Sequence, residues 1–600
     1  MNSGGFHDRP RRARRGRGWV FLLPLILALA VRVIHVAEVA NGPFPHLQVW
    51  AQSDMHFFDR WARSIDAGDW WTHAPMRPYH VWHDSIARTA YADAGYRASS
   101  FDAAIGRSMW GAWLGQGRFY QDPGYPYLLA LVYAVSGSAV PAVWYLQSLL
   151  SLGCVALVFS LTRRLYGSRA ALYASCAAAL YGPLMFYEPV LLRCVLISFL
   201  GLSALRVAVA ALDSSRPSRW LGAGIVAGVA YLVKSTALLP AGIAMAAGVL
   251  VRRRMPVHAL RFAAAFLLGW LLAISPASAR NLHEGVSPWS GAATGVISFV
   301  RHNYAGFEPG RGSGVSPKVA EIMVESGGRG WPALRDTIGG FSTAFGWPRL
   351  LVSKFAAFWT PYEIPNNVNY AYWKLLAPRS AALTIGFVFV VLAAALGLSV
   401  GFRRDPARAL LVTTIAASVL TCVVFFNLSR FRVPIACMMM PLAGAGVAEV
   451  VTLFGRRRQV GSLSRMIAAL CVAGALVGYA GARSRQVVRI ADYGVANRIA
   501  IHMARVAVEQ GRTAQALDVI TKQLATEPPV LARLRPGGPA VRVSATDAKT
   551  AGTFADVHSV AARLYADEGL GKPALRHRRR AALYERLGRG QPGKSGGRRP

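Results

Sequence analysis

Carboxylates are scarce in this chain of 600 residues: Asp and Glu together number 29 against 67 Lys and Arg, a formal net charge of +38. Its motifs contain no DxD-like cluster, so no metal cofactor is expected. Cysteine is scarce too. Cys154, Cys176, Cys194, Cys422, Cys437 and Cys471 all fall inside apolar runs, without CxxC or Cys/His ligand spacing. They read as small buried residues. Basicity on this scale can signal nucleic-acid binding. Here, however, much of the charge sits in short loops between apolar runs and at the two ends. The positive-inside rule and anionic lipid account for it there, and no nucleic-acid partner is expected.

What the chain has in excess is apolar sequence. It is 54% hydrophobic, in runs of about 15 to 22 residues that argue for a single all-α polytopic membrane unit. About 11 spans (roughly 10 to 13) are expected by length and hydropathy. They fall at Trp19–Ala37, Val140–Leu161, Ala170–Phe186, Pro189–Leu212, Trp220–Val233, Ala237–Val251, Ala259–Ile274, Ala381–Val400, Ala409–Phe426, Val433–Leu453 and Met466–Ala480. The basic loops at Arg163–Arg169, Arg216–Arg219, Arg252–Arg254, Arg403–Arg404 and Arg456–Arg458 then share one side with the basic tail 1–18. That side is assigned to the cytoplasm. The domain expected over 19–483 sends two large loops, 38–124 and 277–380, to the other side.

From about residue 484 to 587 a soluble helical unit is expected on that same external side, followed by a disordered basic tail, 588–600. Ala504, Gly511, Ala516 and Pro528 fall at tetratricopeptide offsets, and Gly569 with Ala574 repeats part of the spacing. An ordinary helical hairpin fits equally well. Such a unit suits docking of an acceptor or protein partner, so truncation after about Arg485 is expected to spare transfer to a small acceptor.

The most informative single residue is Asp54, in Gln52-Ser53-Asp54-Met55-His56-Phe57-Phe58-Asp59-Arg60-Trp61. At about 100° per residue it shares a stripe with Trp50, Phe57, Phe58, Trp61 and Ile65, while Asp59, Arg60, Arg63 and Asp66 point elsewhere. The plain reading is a helix cap by Ser53 or Asp54. The sharper one is a catalytic carboxylate at the membrane boundary. Other polar residues at span ends are functional candidates by the same logic: Glu188 with Arg193, Lys234, Arg280 with Asn281, Glu363, and Arg430 with Arg432. Arginines supply bidentate phosphate contacts and a carboxylate can serve as general base, which together suit a phosphate-bearing lipid and a hydroxyl nucleophile. Headgroup snorkelling explains any one arginine alone.

These stretches resemble a family. Asp54-x3-Phe58-x2-Trp61-Ala62, Gly68-Asp69-Trp70, Pro123-Gly124-Tyr125-Pro126-Tyr127, Gln147-Ser148-Leu149-Leu150, Tyr187-Glu188-Pro189, Pro276-x3-Arg280-Asn281 and Arg430-Phe431-Arg432-Val433-Pro434 follow the order found in GT-C membrane glycosyltransferases. The chain is similar to the bacterial members of glycosyltransferase family 39, to protein mannosyltransferases and to the lipid A aminoarabinose transferase. The resemblance implies a GT-C bundle, Asp54 as the catalytic acid residue of the first external loop, and a polyprenyl-phosphate-linked sugar as donor substrate. Phe58 stands where the family often has Tyr, and residues 73–118 read as an insertion over the acceptor side. The function expected is an inverting transfer to an envelope glycan, lipid or protein on the periplasmic face of a bacterial inner membrane. An O-antigen-type polymerase or ligase, which would not need Asp54, and a lipid-linked sugar transporter are the competing readings. No inverted hydropathy repeat of the transporter kind is found.

Overall fold

The computed structural model describes residues 19–40, 44–73, 76–251, 255–310, 316–399, 405–454, 460–534 and 543–589. The N-terminal tail 1–18 and residues 590–600 of the C-terminal tail lie outside these, as do the arginines at 252–254, 403–404 and 456–458, while Gly588 of the tail expected as disordered ends a helix. Every named element among the described residues is helical, and the only bridge pairs Tyr181 with Ile385. Among the described residues seven helices are long and apolar enough to cross a membrane: Val20–Val39, Val140–Tyr166, Cys194–Leu212, Pro256–His283, Pro406–Val424, Ser429–Leu453 and Leu463–Glu509. Expected spans that fall short of this length are the helices Ser168–Ala179, Pro217–Val233, Leu238–Val251 and Phe387–Ser399. The stretch expected as one span over 170–186 breaks at Tyr181, where Gly182 N–H donates to the Ile385 carbonyl at 3.1 Å, and resumes as the short helix Gly182–Phe186.

The bundle has two chemically distinct ends. At one, Arg164 reaches Asp213 at 2.6 Å and Asp405 at 3.6 Å, which gathers three loops of the basic set. The helices Cys194–Leu212 and Pro406–Val424 start or finish there. Their far ends reach Arg193 and Phe426, which line a polar chamber. Small residues let the frame close tightly. Gly224 and Gly269 press against the carbonyls of Phe266 and Leu221 across the crossing of Pro217–Val233 with Pro256–His283. A side chain at Gly224 would run into the Phe266 carbonyl, so Gly224→Leu is expected to destabilise by about 1–3 kcal/mol, as overpacking does. A midpoint of thermal unfolding equal to that of the unaltered protein would contradict this crossing.

The C-terminal unit is not a bead on a linker. One helix, Val460–Glu509, runs for 50 residues, about 75 Å at 1.5 Å per residue, so the boundary expected at 484 falls inside it. Past the membrane portion, Val488 packs with Ile364 and Leu428, and Val495, Ile499 and Met503 join the main core. Gly511, at φ +71°, then turns the chain into Thr513–Leu524. Ala504 and Ala516 are fully buried in a second core with Ile520, Phe554 and Tyr584. A further pair, Ala545–Asp567 and Gly571–Gly588, closes the unit.

Candidate active site

Asp54 opens the helix Asp54–Asp66, with Ser53 as its cap: the Ser53 Oγ accepts from His56 N–H at 3.1 Å. Both readings of this segment therefore coexist, since Ser53 does the capping and Asp54 is left for other work. Phe57, Phe58, Trp61 and Ile65 are buried, as their stripe requires, against the helix Gly124–Ser136. Asp59, off that stripe, is buried as well, and accepts from the Tyr133 hydroxyl of the same neighbouring helix at 2.6 Å and from Arg63 at 2.9 Å.

The Asp54 side chain, 25% exposed, opens on a cavity of about 360 Å³. Its Oδ2 accepts from Arg430 Nη1 at 2.6 Å and from Asn367 Nδ2 at 2.7 Å, and its Oδ1 from Gln121 Nε2 at 3.4 Å. The network runs on from Gln121 Oε1 to Arg193 at 2.8 Å, from Arg193 to Asp122 at 2.9 Å, and from Asp122 to Lys234 at 3.7 Å. Lys234 also faces the rings of Phe426 and Phe431 at 5.3 and 5.6 Å. Four of the expected site residues, Asp54, Arg193, Lys234 and Arg430, thus meet in one chamber. His80, Trp82, Tyr120, Arg301 and Arg498 complete its walls.

Burial pushes the Asp54 carboxyl up, but the charge and hydrogen bond of Arg430, the Asn367 amide and the charge of Arg193 outweigh it and hold the pKa at about 2. A depressed pKa contributes stability above the ordinary carboxylate range near 4 that is lost as pH falls through about 2. The difference in thermal stability between the unaltered protein and Asp54→Asn should therefore be flat from about pH 4 to 8 and change only in stronger acid. A difference that titrates near neutrality would contradict the Arg430 pairing. His80 is held below the usual imidazole value, first by burial and then by the charge of Arg301.

The remaining expected residues lie elsewhere. Glu188 is buried in an ion pair with Arg32 of the first span at 2.9 Å and accepts from the Ser148 hydroxyl at 3.0 Å. Arg280 donates to the carbonyls of Trp71 (3.0 Å), Thr72 (2.5 Å) and Gly117, which staples the first loop to the end of Pro256–His283. Asn281 donates to the Ser290 carbonyl at 3.1 Å. Arg432 pairs with Glu363 at 2.8 Å and donates to the carbonyls of Phe358, Thr360 and Tyr362. These five, Glu363 included, are scaffold in this structure. The Arg432 staple does serve the chamber indirectly, because it fixes the segment that delivers Asn367 to Asp54. Among the described residues one group of metal-ligand type, His73, His283 and Glu284, forms beside the Arg280 staple. None of the three lines the Asp54 chamber.

Sequence reasoning missed Gln121, Asp122, Asn367, Arg301 and Arg498. Gln121-Asp122 directly precedes the Pro123-Gly124-Tyr125-Pro126 motif, a signal within reach, and Asn367 lies four residues after Glu363. Nothing local marks Arg301 or Arg498.

Two apolar grooves meet this chamber at Lys234. One runs between Cys194–Leu212, Pro217–Val233 and Ser429–Phe454, lined by Leu200, Ala204, Phe266 and Met438. The other, about 680 Å³, is lined by Leu238, Leu239, Ile243, Phe425 and Phe426.

Residues 121–279, which contain Gln121, Asp122, Arg193 and Lys234, match the family described as dolichyl-phosphate-mannose-protein mannosyltransferase. Over this segment the expected resemblance to protein mannosyltransferases is met. No curated protein matches the chain. Among solved structures, the oligosaccharyltransferase of Archaeoglobus fulgidus tethered with an acceptor peptide is 14% identical with a TM-score of 0.40, over 78% of this chain and 55% of its own. The chain thus spans little more than half the length of that protein. ArnT from Cupriavidus metallidurans bound to undecaprenyl phosphate is 14% identical with a TM-score of 0.35, over 95% of this chain and 76% of its own.

Proposed function

We propose that the protein is an inverting glycosyltransferase that moves a sugar from a polyprenyl-phosphate donor to an acceptor hydroxyl in the Asp54 chamber. The observation that carries this reading is the junction at Lys234, where a cationic chamber passes into apolar grooves between helices. An amphipathic ligand with a phosphate head and a long apolar tail fits that junction: the tail lies along a groove and the phosphate meets Lys234, Arg193 and Arg430. The matched family segment, which supplies Arg193 and Lys234, supports the same donor class.

Asp54 starts out occupied by Arg430, and in that state it is too weak a base for an alcohol. When the donor phosphate enters, Arg430 moves its hydrogen bonds from the carboxylate to the phosphate oxygens. Asp54, still hydrogen-bonded by Asn367, gains basicity and takes the acceptor proton. The acceptor oxygen bonds to the anomeric carbon as the bond from that carbon to the phosphate oxygen breaks, and polyprenyl phosphate leaves with its charge held by the cations. Attack from the face opposite the leaving group inverts the anomeric centre. The chamber lies at the end of the bundle opposite the Arg164 cluster, which by the positive-inside rule supports a reaction on the external face, in our reading that of a bacterial inner membrane with an envelope glycan, lipid or protein as acceptor.

Undecaprenyl phosphate binding by the purified protein in detergent tests the donor site. Lys234→Met should weaken it by about tenfold or more, the loss of one charge-assisted contact. Equal affinity in the variant would remove Lys234 from the phosphate site.

A further inference from the structure

The chamber is more cationic than one donor needs. Arg193, Lys234, Arg301, Arg430 and Arg498 line it, and Asp54 is the carboxylate among the lining residues. Asp122 sits behind Arg193 and Lys234. Among the described residues, Asp54 and Asp122 together with a donor phosphodiester bring three formal negative charges to five formal positive ones.

Position divides the cations into two groups. Lys234 lies where the apolar grooves enter and shares Asp122 with Arg193, and Arg430 holds Asp54, whereas Arg301 and Arg498 stand on other elements, the helices Thr294–Asn303 and Val460–Glu509. Arg301 stands on the helix Thr294–Asn303 with its guanidinium 4.6 Å over the Trp82 ring. Trp82 belongs to the insertion and is braced there by Trp110 at 5.5 Å, whose indole N–H donates to the His83 carbonyl at 2.9 Å. From behind, the buried ammonium of Lys354 donates to the His302 carbonyl at 3.2 Å, Asn303 Oδ1 at 3.3 Å and the Val424 carbonyl at 3.1 Å. The helix that carries Arg301 is thus clamped on both sides. Arg498 comes from the long C-terminal helix, which is fixed nearby where Asn369 donates to Asp492 at 3.0 Å. Both arginines come from outside the family-matched segment 121–279.

We infer that Arg301 and Arg498 form a second anion subsite, which takes an oxyanion that the acceptor carries beside its reacting hydroxyl. The acceptor is therefore acidic, a phosphate- or carboxylate-bearing molecule. Trp82 is a positioning residue for Arg301, and the insertion and the C-terminal arm select the acceptor between them. The division into subsites rests on Arg193, Lys234 and Arg430 being the donor-phosphate cluster.

The test uses full-length protein in detergent, saturated with undecaprenyl phosphate and titrated with inorganic phosphate by calorimetry. The loaded protein should bind phosphate without releasing lipid. Arg301→Gln and Arg498→Gln should each weaken phosphate binding about tenfold or more, with lipid affinity within about twofold. Arg301→Lys should retain part of the binding, which separates lost charge from lost fold, and Trp82→Leu should behave like Arg301→Gln. Phosphate that displaces the lipid, or binds both Gln variants as it binds the unaltered protein, overturns the subsite. So does loaded protein that binds no phosphate. If undecaprenyl phosphate fails to bind but phosphate binds through Arg301 and Arg498, the subsite stands and the donor reading falls.

Discussion

Asp54→Asn should lower sugar transfer by about 10²–10⁴-fold, the range for loss of a general base. Asparagine keeps the size of the side chain and can still accept from Asn367, so membrane insertion and fold should be unchanged. What it removes is the proton acceptor and the charge that holds Arg430 at 2.6 Å. Freed from that carboxylate, Arg430 should be more available to the donor phosphate, and affinity for undecaprenyl phosphate should hold or rise while turnover collapses. That split between binding and turnover separates a catalytic role from a structural one. Weakened lipid binding with near-normal turnover would contradict it and return the polymerase reading, in which Asp54 is dispensable.

Truncation after Arg485 should abolish transfer even to a small model acceptor. The sequence suggested the opposite, a detachable docking unit, because its small-residue spacing looked self-contained. In the structure the helix that leaves the membrane is the same one that builds the unit. Cutting it removes Val488 from its cluster with Ile364 and Leu428, Asp492 from Asn369, and Arg498 from the chamber wall. The segment carrying Asn366 and Asn367 would lose its backing, and with it the hydrogen bond that orients Asp54. A truncated protein that inserts and turns over a small acceptor at the full rate would show the arm to be an accessory after all.

The two cases show what was legible in the sequence. Asp54 could be found because hydrophobic periodicity exposes a carboxylate on an apolar stripe, a local signal. Basic loops alternating with apolar runs suggested a two-ended bundle for the same reason, and Arg164, Asp213 and Asp405 gather three loops at one end. The role of each arginine was not local. Arg430 and Arg432 are two residues apart on one helix, yet the first reaches Asp54 and the second is consumed by Glu363 and three carbonyls. Arg280 likewise carries the sequence signature of a phosphate ligand and turns out to be a backbone staple. Which partner an arginine meets depends on how distant loops return, and no spacing rule contains that. Arg301 and Arg498 were invisible because their place in the site depends on Trp82 and on the continuity of the last long helix.

The measurement that bears most directly on the central claim is mass spectrometry of reconstituted vesicles. Unaltered protein and Asp54→Asn would each be given undecaprenyl-phosphate-linked sugar and a phosphate-bearing envelope extract. The account predicts release of free undecaprenyl phosphate and a sugar-modified acceptor with the unaltered protein, and intact donor with Asp54→Asn. Equal consumption of donor by both proteins, or donor that crosses the bilayer with its sugar still attached, would contradict it.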